Sequence, residues 1–162
     1  MKTWVISDTH FYHEKLKENN YRPQDFMGKI ICNWKRMVSD DDLVIHLGDV
    51  SWSKDLLVDT LPGRKVLVRG NHDKKTCSWY MSHGFDFACD SFDRKFGNVV
   101  VRFTHVPIEK PDYTFDINIH GHLHTRELEK VWWRHLISLE NNGYTLENVA
   151  DIVPKFNKGE WC

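Results

Sequence analysis

Three short β-rich runs, Trp4 to Ser7, Leu43 to Leu47 and Lys65 to Arg69, are separated by stretches with helical features, and this alternation constrains the fold most. A strand–helix–strand–helix–strand order implies a largely parallel sheet covered by helices. Between the first two runs, Phe26, Ile30, Trp34, Met37 and Val38 recur at helical spacing within Gln24 to Val38, and Pro23 suits the helix start. The acidic turn Asp40-Asp41-Asp42 leads into the second run. A short helix is expected over Lys54 to Leu61, closed by Pro62-Gly63, and another over Lys74 to Ser82.

The second half reads differently. Phe92 to Phe96 and Val99 to Phe103 flank Gly97-Asn98, a two-residue hairpin signal. Phe115 to Ile119 and Leu136 to Leu139 are further strand candidates, and Thr145 is placed to cap a last helix carrying Leu146, Val149 and Ile152. No repeat, low-complexity tract or linker divides the chain. At roughly 150 residues per domain, the 162 residues form one domain, 1–162. The expected fold class is α/β, a two-sheet β-sandwich flanked by helices in four layers (α/β/β/α).

A 41% hydrophobic share supplies a core, and 22 basic against 23 acidic side chains leave a net charge of −1. That balance argues against a surface built to wrap long nucleic acid. No apolar run approaches the roughly 20 residues of a membrane span. The start, Met1 to Asp8, turns polar too soon for a signal peptide. Cys32, Cys77, Cys89 and Cys162 include no C-x-x-C pair, so the expectation is a reduced, cytoplasmic protein.

The segments just after the strands carry the chemistry. The five runs end in Ser7-Asp8-Thr9-His10, Gly48-Asp49, Gly70-Asn71-His72-Asp73, Thr104-His105 and His120-Gly121-His122-Leu123-His124. The C-terminal edge of an α/β sheet is where ligands bind. Asp and His side chains without thiolates suit a first-row divalent metal rather than a Cys-type zinc site. Asp8, His10, Asp49, Asn71, His105, His122 and His124 are too many for one tetrahedral ion. They suit two ions about 3.5–4 Å apart, with Asp49 as the bridging carboxylate. His46 and His120 fall inside strands and read as hydrogen-bonded supports. His83 and His135 read as surface or structural residues. His13 and Arg22, after the first motif, are candidates for a phosphate contact, to which neither is assigned.

Asp8-x-His10, Gly48-Asp49, Gly70-Asn71-His72-Asp73, His105 and Gly121-His122-x-His124 resemble, in order, the signature of the calcineurin-like metallophosphoesterases, across residues 8 to 124. The resemblance implies a sandwich with a binuclear centre: two divalent metal ions per chain, manganese first, with iron, zinc or nickel as alternatives. By position, Asp8, His10 and His124 would hold one ion and Asn71, His105 and His122 the other, bridged by Asp49. A water between the ions would ionise near neutral pH and attack phosphorus. His72 would be the general acid, with Asp73 fixing its tautomer. One departure is visible: Val50-Ser51-Trp52-Ser53 stands where many members carry an acidic residue.

The expected activity is hydrolysis of phosphodiester or phosphomonoester bonds in a small substrate, nucleotides among the candidates. Two other readings compete: a non-catalytic protein-binding scaffold, which the presence of His72 disfavours, and a nuclease that borrows a nucleic-acid-binding partner subunit. Trp52, Trp79, Trp132 and Trp133 are candidates for base stacking or for the core. Lys74-Lys75 reads either as an anion-attracting pair or as a solvated helix start. Oligomeric state and substrate-contacting residues stay open.

Overall fold

In the computed structural model, which describes residues 1–19, 21–109, 114–125 and 131–157, the first three strands pair in parallel. Val5 of β1 (Thr3–Ile6) lies opposite Ile45 of β2 (Leu43–His46), and Ile45 lies opposite Val66 of β3 (Arg64–Val68). The first crossover contains α1 (Glu14–Glu18) and α2 (Phe26–Met37). The apolar stripe of α2, Phe26, Ile30 and Trp34, packs with Trp4, Ile6 and Val44 on one face of this sheet. Each such fully buried large side chain contributes about 1.5–3 kcal/mol.

The second crossover departs from expectation, since Lys54 to Leu61 forms only a 3₁₀ turn at Val58–Thr60. The reason is local. The Leu57 N–H, which a helix would bond to the carbonyl four residues back, donates instead to Asp55 Oδ1, and Leu57 adopts a left-handed φ of 65° that no α-helix accommodates. Beyond β3, Thr76 caps α3 (Cys77–Met81) by accepting the Trp79 N–H at 3.2 Å. An unforeseen strand, β4 (Phe87–Cys89), then adds to β3 in parallel.

The second sheet begins with the hairpin read from Gly97-Asn98: β5 (Ser91–Phe96) and β6 (Val99–Thr104) are antiparallel, with Phe96 opposite Val99. Next come β7 (Ile117–His120), parallel to β6, and β8 (Arg134–Leu136), parallel to β7. Thr145 does not cap the last helix. Glu147–Asn148 first pairs with β1 as a short antiparallel strand, β9, and α4 (Val149–Asn157) follows it. The Ala150 N–H is taken by Asn148 Oδ1. The sheet orders are β4-β3-β2-β1-β9 and β5-β6-β7-β8.

Val5, Ile45, Leu47 and Val68 of the first sheet pack with Val101, Phe103, Ile117 and Ile119 of the second, and α4 adds Val149, Ile152 and Val153. The result is the two-sheet, helix-flanked sandwich expected. Cys162 lies outside the described residues. Among the described residues, no helix is long and apolar enough to cross a membrane.

Candidate metal centre

Every candidate side chain follows the C-terminal end of β1, β2, β3, β6 or β7. The first two of these loops are zipped together. The N–H groups of Asp8, His10 and Phe11 donate to the carbonyls of Gly48, Asp49 and Val50, each at 3.0 Å, and the Trp52 N–H donates to Phe11 O at 2.8 Å. Gly48, at φ 97°, lets the loop after β3 close in beside them, because a Cβ there would overlap the backbone of Gly70. A Cβ on Gly121 would overlap Ser7 Oγ and the Asp8 carboxylate. Asp8, His10, Asp49, His122 and His124 all have positive φ, from 45° to 72°. Such conformations cost about 1–3 kcal/mol each and persist only where the surroundings over-determine them. Their clustering on one set of side chains marks a functional site.

The donor atoms converge in two groups that share Asp8: Asp8, His10 and His124; and Asp8, Asp49 and His105. His10 Nε2 and His124 Nε2 lie 3.8 and 3.7 Å from Asp8 Oδ1. Asp49 Oδ2, a member of the second group, also reaches the first, 3.7 Å from His10 Nε2 and 3.6 Å from His105 Nε2. His105 Nε2 also lies 2.9 Å from Asn71 Oδ1 and 3.1 Å from His122 Nδ1. Ligand bonds of about 2.1 Å place tetrahedral or octahedral donors about 3.0–3.4 Å apart, close to these separations.

Two further observations fit a cation. Asp8 Oδ1, the oxygen that faces His10 Nε2 and His124 Nε2, is buried with no hydrogen-bond partner among the described residues, and such an orphan is rare unless something absent pairs it. His105 Nδ1 lies 2.6 Å from Leu47 O, which only accepts, so the neutral ring carries its proton there. Its Nε2 lone pair then faces the oxygens of Asn71 and Asp49, an arrangement a cation reconciles.

Burial pushes the Asp8 carboxyl above its ordinary range. Desolvation, with the Arg22 charge adding to it, pushes His10 down to about 2. Desolvation, together with His105, also lowers His122. Neutral His10 and His122 suit a metal ligand set, whereas at His124 burial is outweighed by the Glu140 hydrogen bond and the Asp8 charge, which raise the pKa.

His72 lies at the rim with 45% of its side chain exposed. Its Nε2 is 4.0 Å from Asp49 Oδ2, and its N–H donates to Asp49 Oδ1 at 2.9 Å. Beside it, Trp52 is 47% exposed, 4.6 Å from the His72 ring and stacked on His13 at 3.7 Å. This Trp belongs to the site rather than to the core. Trp133 is buried, whereas Trp132 is exposed beside Phe156. Trp79 stacks on His83, and Lys75 lies over the Trp79 ring.

The expected role of Asp73 is corrected. Its carboxylate accepts the N–H groups of Asp49, Val50 and Gly70 at 2.8, 3.2 and 2.7 Å, and makes no bond to the His72 ring among the described residues. Desolvation raises its pKa, and these three bonds oppose the rise. His46 and His120 are supports. Thr9 Oγ1 and the Gly48 N–H hold His46, and His120 Nδ1 lies 3.0 Å from Gly121 O. His83 is exposed and bonded to Trp79 O, while His135 pairs with Glu147. Sequence reasoning missed Glu140, which bonds His124 Nδ1 at 2.8 Å and pairs with the buried Arg22. Arg22 thus binds Glu140 instead of standing free for phosphate. Glu140 sits in no motif, and its importance rests entirely on the partner it meets.

A family model described as calcineurin-like phosphoesterase matches residues 1–149. An uncharacterized protein of Methanocaldococcus jannaschii is 31% identical over 145 residues, covering 80% of this chain and 73% of that protein. The Gene 66 protein of Mycobacterium phage L5 is 34% identical over 86 residues, a match that spans 44% of this chain and 39% of the phage protein. Among solved structures, a protein of unknown function from Aquifex aeolicus superposes with a TM-score of 0.81 at 27% identity, covering 94% of this chain and 98% of that one. A structure described as a novel archaeal phosphodiesterase superposes with a TM-score of 0.51 at 23% identity, covering 85% and 82%; that likeness concerns the fold.

Proposed function

The chain belongs to the calcineurin-like phosphoesterase family, and on that footing we propose that it is a metal-dependent hydrolase of phosphate esters, holding two divalent ions, with manganese the first candidate. One observation carries this reading: the donors of Asp8, His10, Asp49, His105 and His124 meet in two adjoining groups, with Asp49 Oδ2 3.7 Å from His10 Nε2 and 3.6 Å from His105 Nε2, and Asn71 and His122 join through His105 Nε2 at 2.9 and 3.1 Å. Asp8, His10 and His124 would hold one ion, Asn71, His105 and His122 the other, and Asp49 both. When bound, the ions supply Lewis acidity, lowering the pKa of water and neutralising charge on the phosphoryl oxygens.

The chain's own residues supply the rest. Leu47 O sets the His105 ring so that Nε2 faces inward. Asp73 fixes the loop carrying Asp49 by holding two successive N–H groups. His72 stands exposed at the rim, tied through its backbone to Asp49 Oδ1. Its imidazole gives a proton to the leaving oxygen of the ester. The substrate is a small phosphodiester or phosphomonoester, nucleotides included. Chelator-stripped protein reloaded with Mn²⁺, Fe²⁺, Zn²⁺ or Ni²⁺ and assayed on mono-, di- and cyclic-nucleotide esters tests the proposal. Metal-restored hydrolysis is expected, and no turnover with any reloaded metal would overturn it.

A further inference from the structure

Glu140 follows β8 in a turn, Arg22 lies in the loop after α1, and 118 residues separate them in the chain. Glu140 Oε1 nevertheless lies 2.8 Å from Arg22 Nε, 2.7 Å from an Arg22 terminal nitrogen and 2.8 Å from His124 Nδ1. We propose that Glu140, locked in place by Arg22, is the positioning residue that presents His124 to the metal through Nε2. This rests on the metal-site reading above.

The polarity of the contacts leaves one assignment. Arg22 Nη2 lies 3.3 Å from His124 Nδ1, but guanidinium only donates, so that contact would need a bare Nδ1. The ionised carboxylate only accepts. Glu140 Oε1 already accepts from two nitrogens of the buried Arg22, at 2.8 and 2.7 Å. The shorter contact therefore wins. In the neutral ring Nδ1 carries the proton, which leaves Nε2, 3.7 Å from Asp8 Oδ1, for the metal.

Arg22 is built to hold this arrangement. Its side chain is fully buried, it donates to Thr9 O at 3.2 Å, and its guanidinium lies 5.1 and 6.0 Å from the ring centres of Phe26 and Tyr144. It cannot swing away from Glu140 without leaving a charge unpaired in the interior. His124 needs such an anchor, because it is half-buried and sits at a strained φ of 52°. Its ring is otherwise held by stacking on His10 at 5.2 Å.

The test reads the ring directly in metal-free protein. Long-range ¹H–¹⁵N correlation of the imidazoles, recorded at alkaline pH where the rings are neutral and with His124 assigned through its loss in His124→Asn, should show the Nδ1–H tautomer. In Glu140→Ala the proton should redistribute toward Nε2. Calorimetric Mn²⁺ binding should weaken about 10–100-fold for one ion, with the second ion's affinity near wild type. If Glu140→Ala fails to fold, the isosteric Glu140→Gln decides, with binding of one ion expected to fall about 10-fold. A wild-type Nε2–H tautomer, or unchanged Mn²⁺ affinity in whichever variant folds, overturns the proposal. A wild-type protein that takes up no metal while showing the Nδ1–H tautomer would instead overturn the metal-enzyme reading.

Discussion

Asp73 Oδ2 accepts the backbone N–H of Asp49 at 2.8 Å. The carboxylate next to His72 in the chain therefore serves the loop that carries the bridging candidate rather than the neighbouring imidazole. Asp73→Asn should leave at least one buried N–H without an acceptor, a loss of about 1–3 kcal/mol. Thermal unfolding of the metal-free variant should register this as about 2–4 °C per kcal/mol. Any fall in kcat should be equal on alkyl and nitrophenyl esters. A loss confined to alkyl esters would return Asp73 to the role of orienting His72.

Metal stoichiometry follows from the two donor groups. Elemental analysis of active protein should give two equivalents, and a chelator should abolish hydrolysis until Mn²⁺ is returned. Asp49 Oδ2 faces both halves of the cluster. Asp49→Ala should therefore lose more metal and more activity than His10→Ala. Two ions and near-normal turnover in Asp49→Ala would place the bridge elsewhere.

His72 is tested through the leaving group. An alkoxide needs a proton on departure, whereas nitrophenolate hardly does. His72→Asn should cost roughly 10²–10⁴-fold on a nucleoside or alkyl ester and much less on a nitrophenyl ester, at unchanged metal content. Equal losses on both would indicate phosphate binding by His72 instead.

Far from the site, Asp42 accepts the Lys2 N–H at 2.6 Å, the Trp4 indole N–H at 3.0 Å and the Ser39 N–H at 3.1 Å. These bonds, that from Lys2 foremost, hold its pKa down to about 2. An acid whose pKa is lower folded than unfolded stabilises the fold above its unfolded value, about 3.9. That stabilisation is lost as pH falls through the folded value. Urea titrations should therefore show wild type losing stability relative to Asp42→Asn between about pH 4 and pH 2. A pH-independent difference between the two proteins would refute the assignment.

Parallel β1, β2 and β3, the α2 stripe and the hairpin at Gly97-Asn98 were legible in the sequence because each is written in a short window, by apolar period or turn chemistry. The ligand candidates were legible because strand ends are local features and Asp, Asn and His at five of them share one chemistry. The sequence alone thus determined a strand–helix alternation, a set of polar strand ends and the residue types on them. Tertiary structure decided which atom meets which. Lys54 to Leu61 turned from helix to loop because Asp55 captured the Leu57 N–H and Leu57 took a left-handed φ. Glu147–Asn148 became a strand only because β1 offered an open edge. Glu140 and Arg22 carry no local signal, and their pairing across 118 positions exists because two loops close over the same histidine. Asp73 turned to the backbone because buried N–H groups of the adjoining loop lay within its reach. Hydrogen-bond partners are chosen by proximity in the folded chain, and proximity between distant loops is a property of packing rather than of any sequence window.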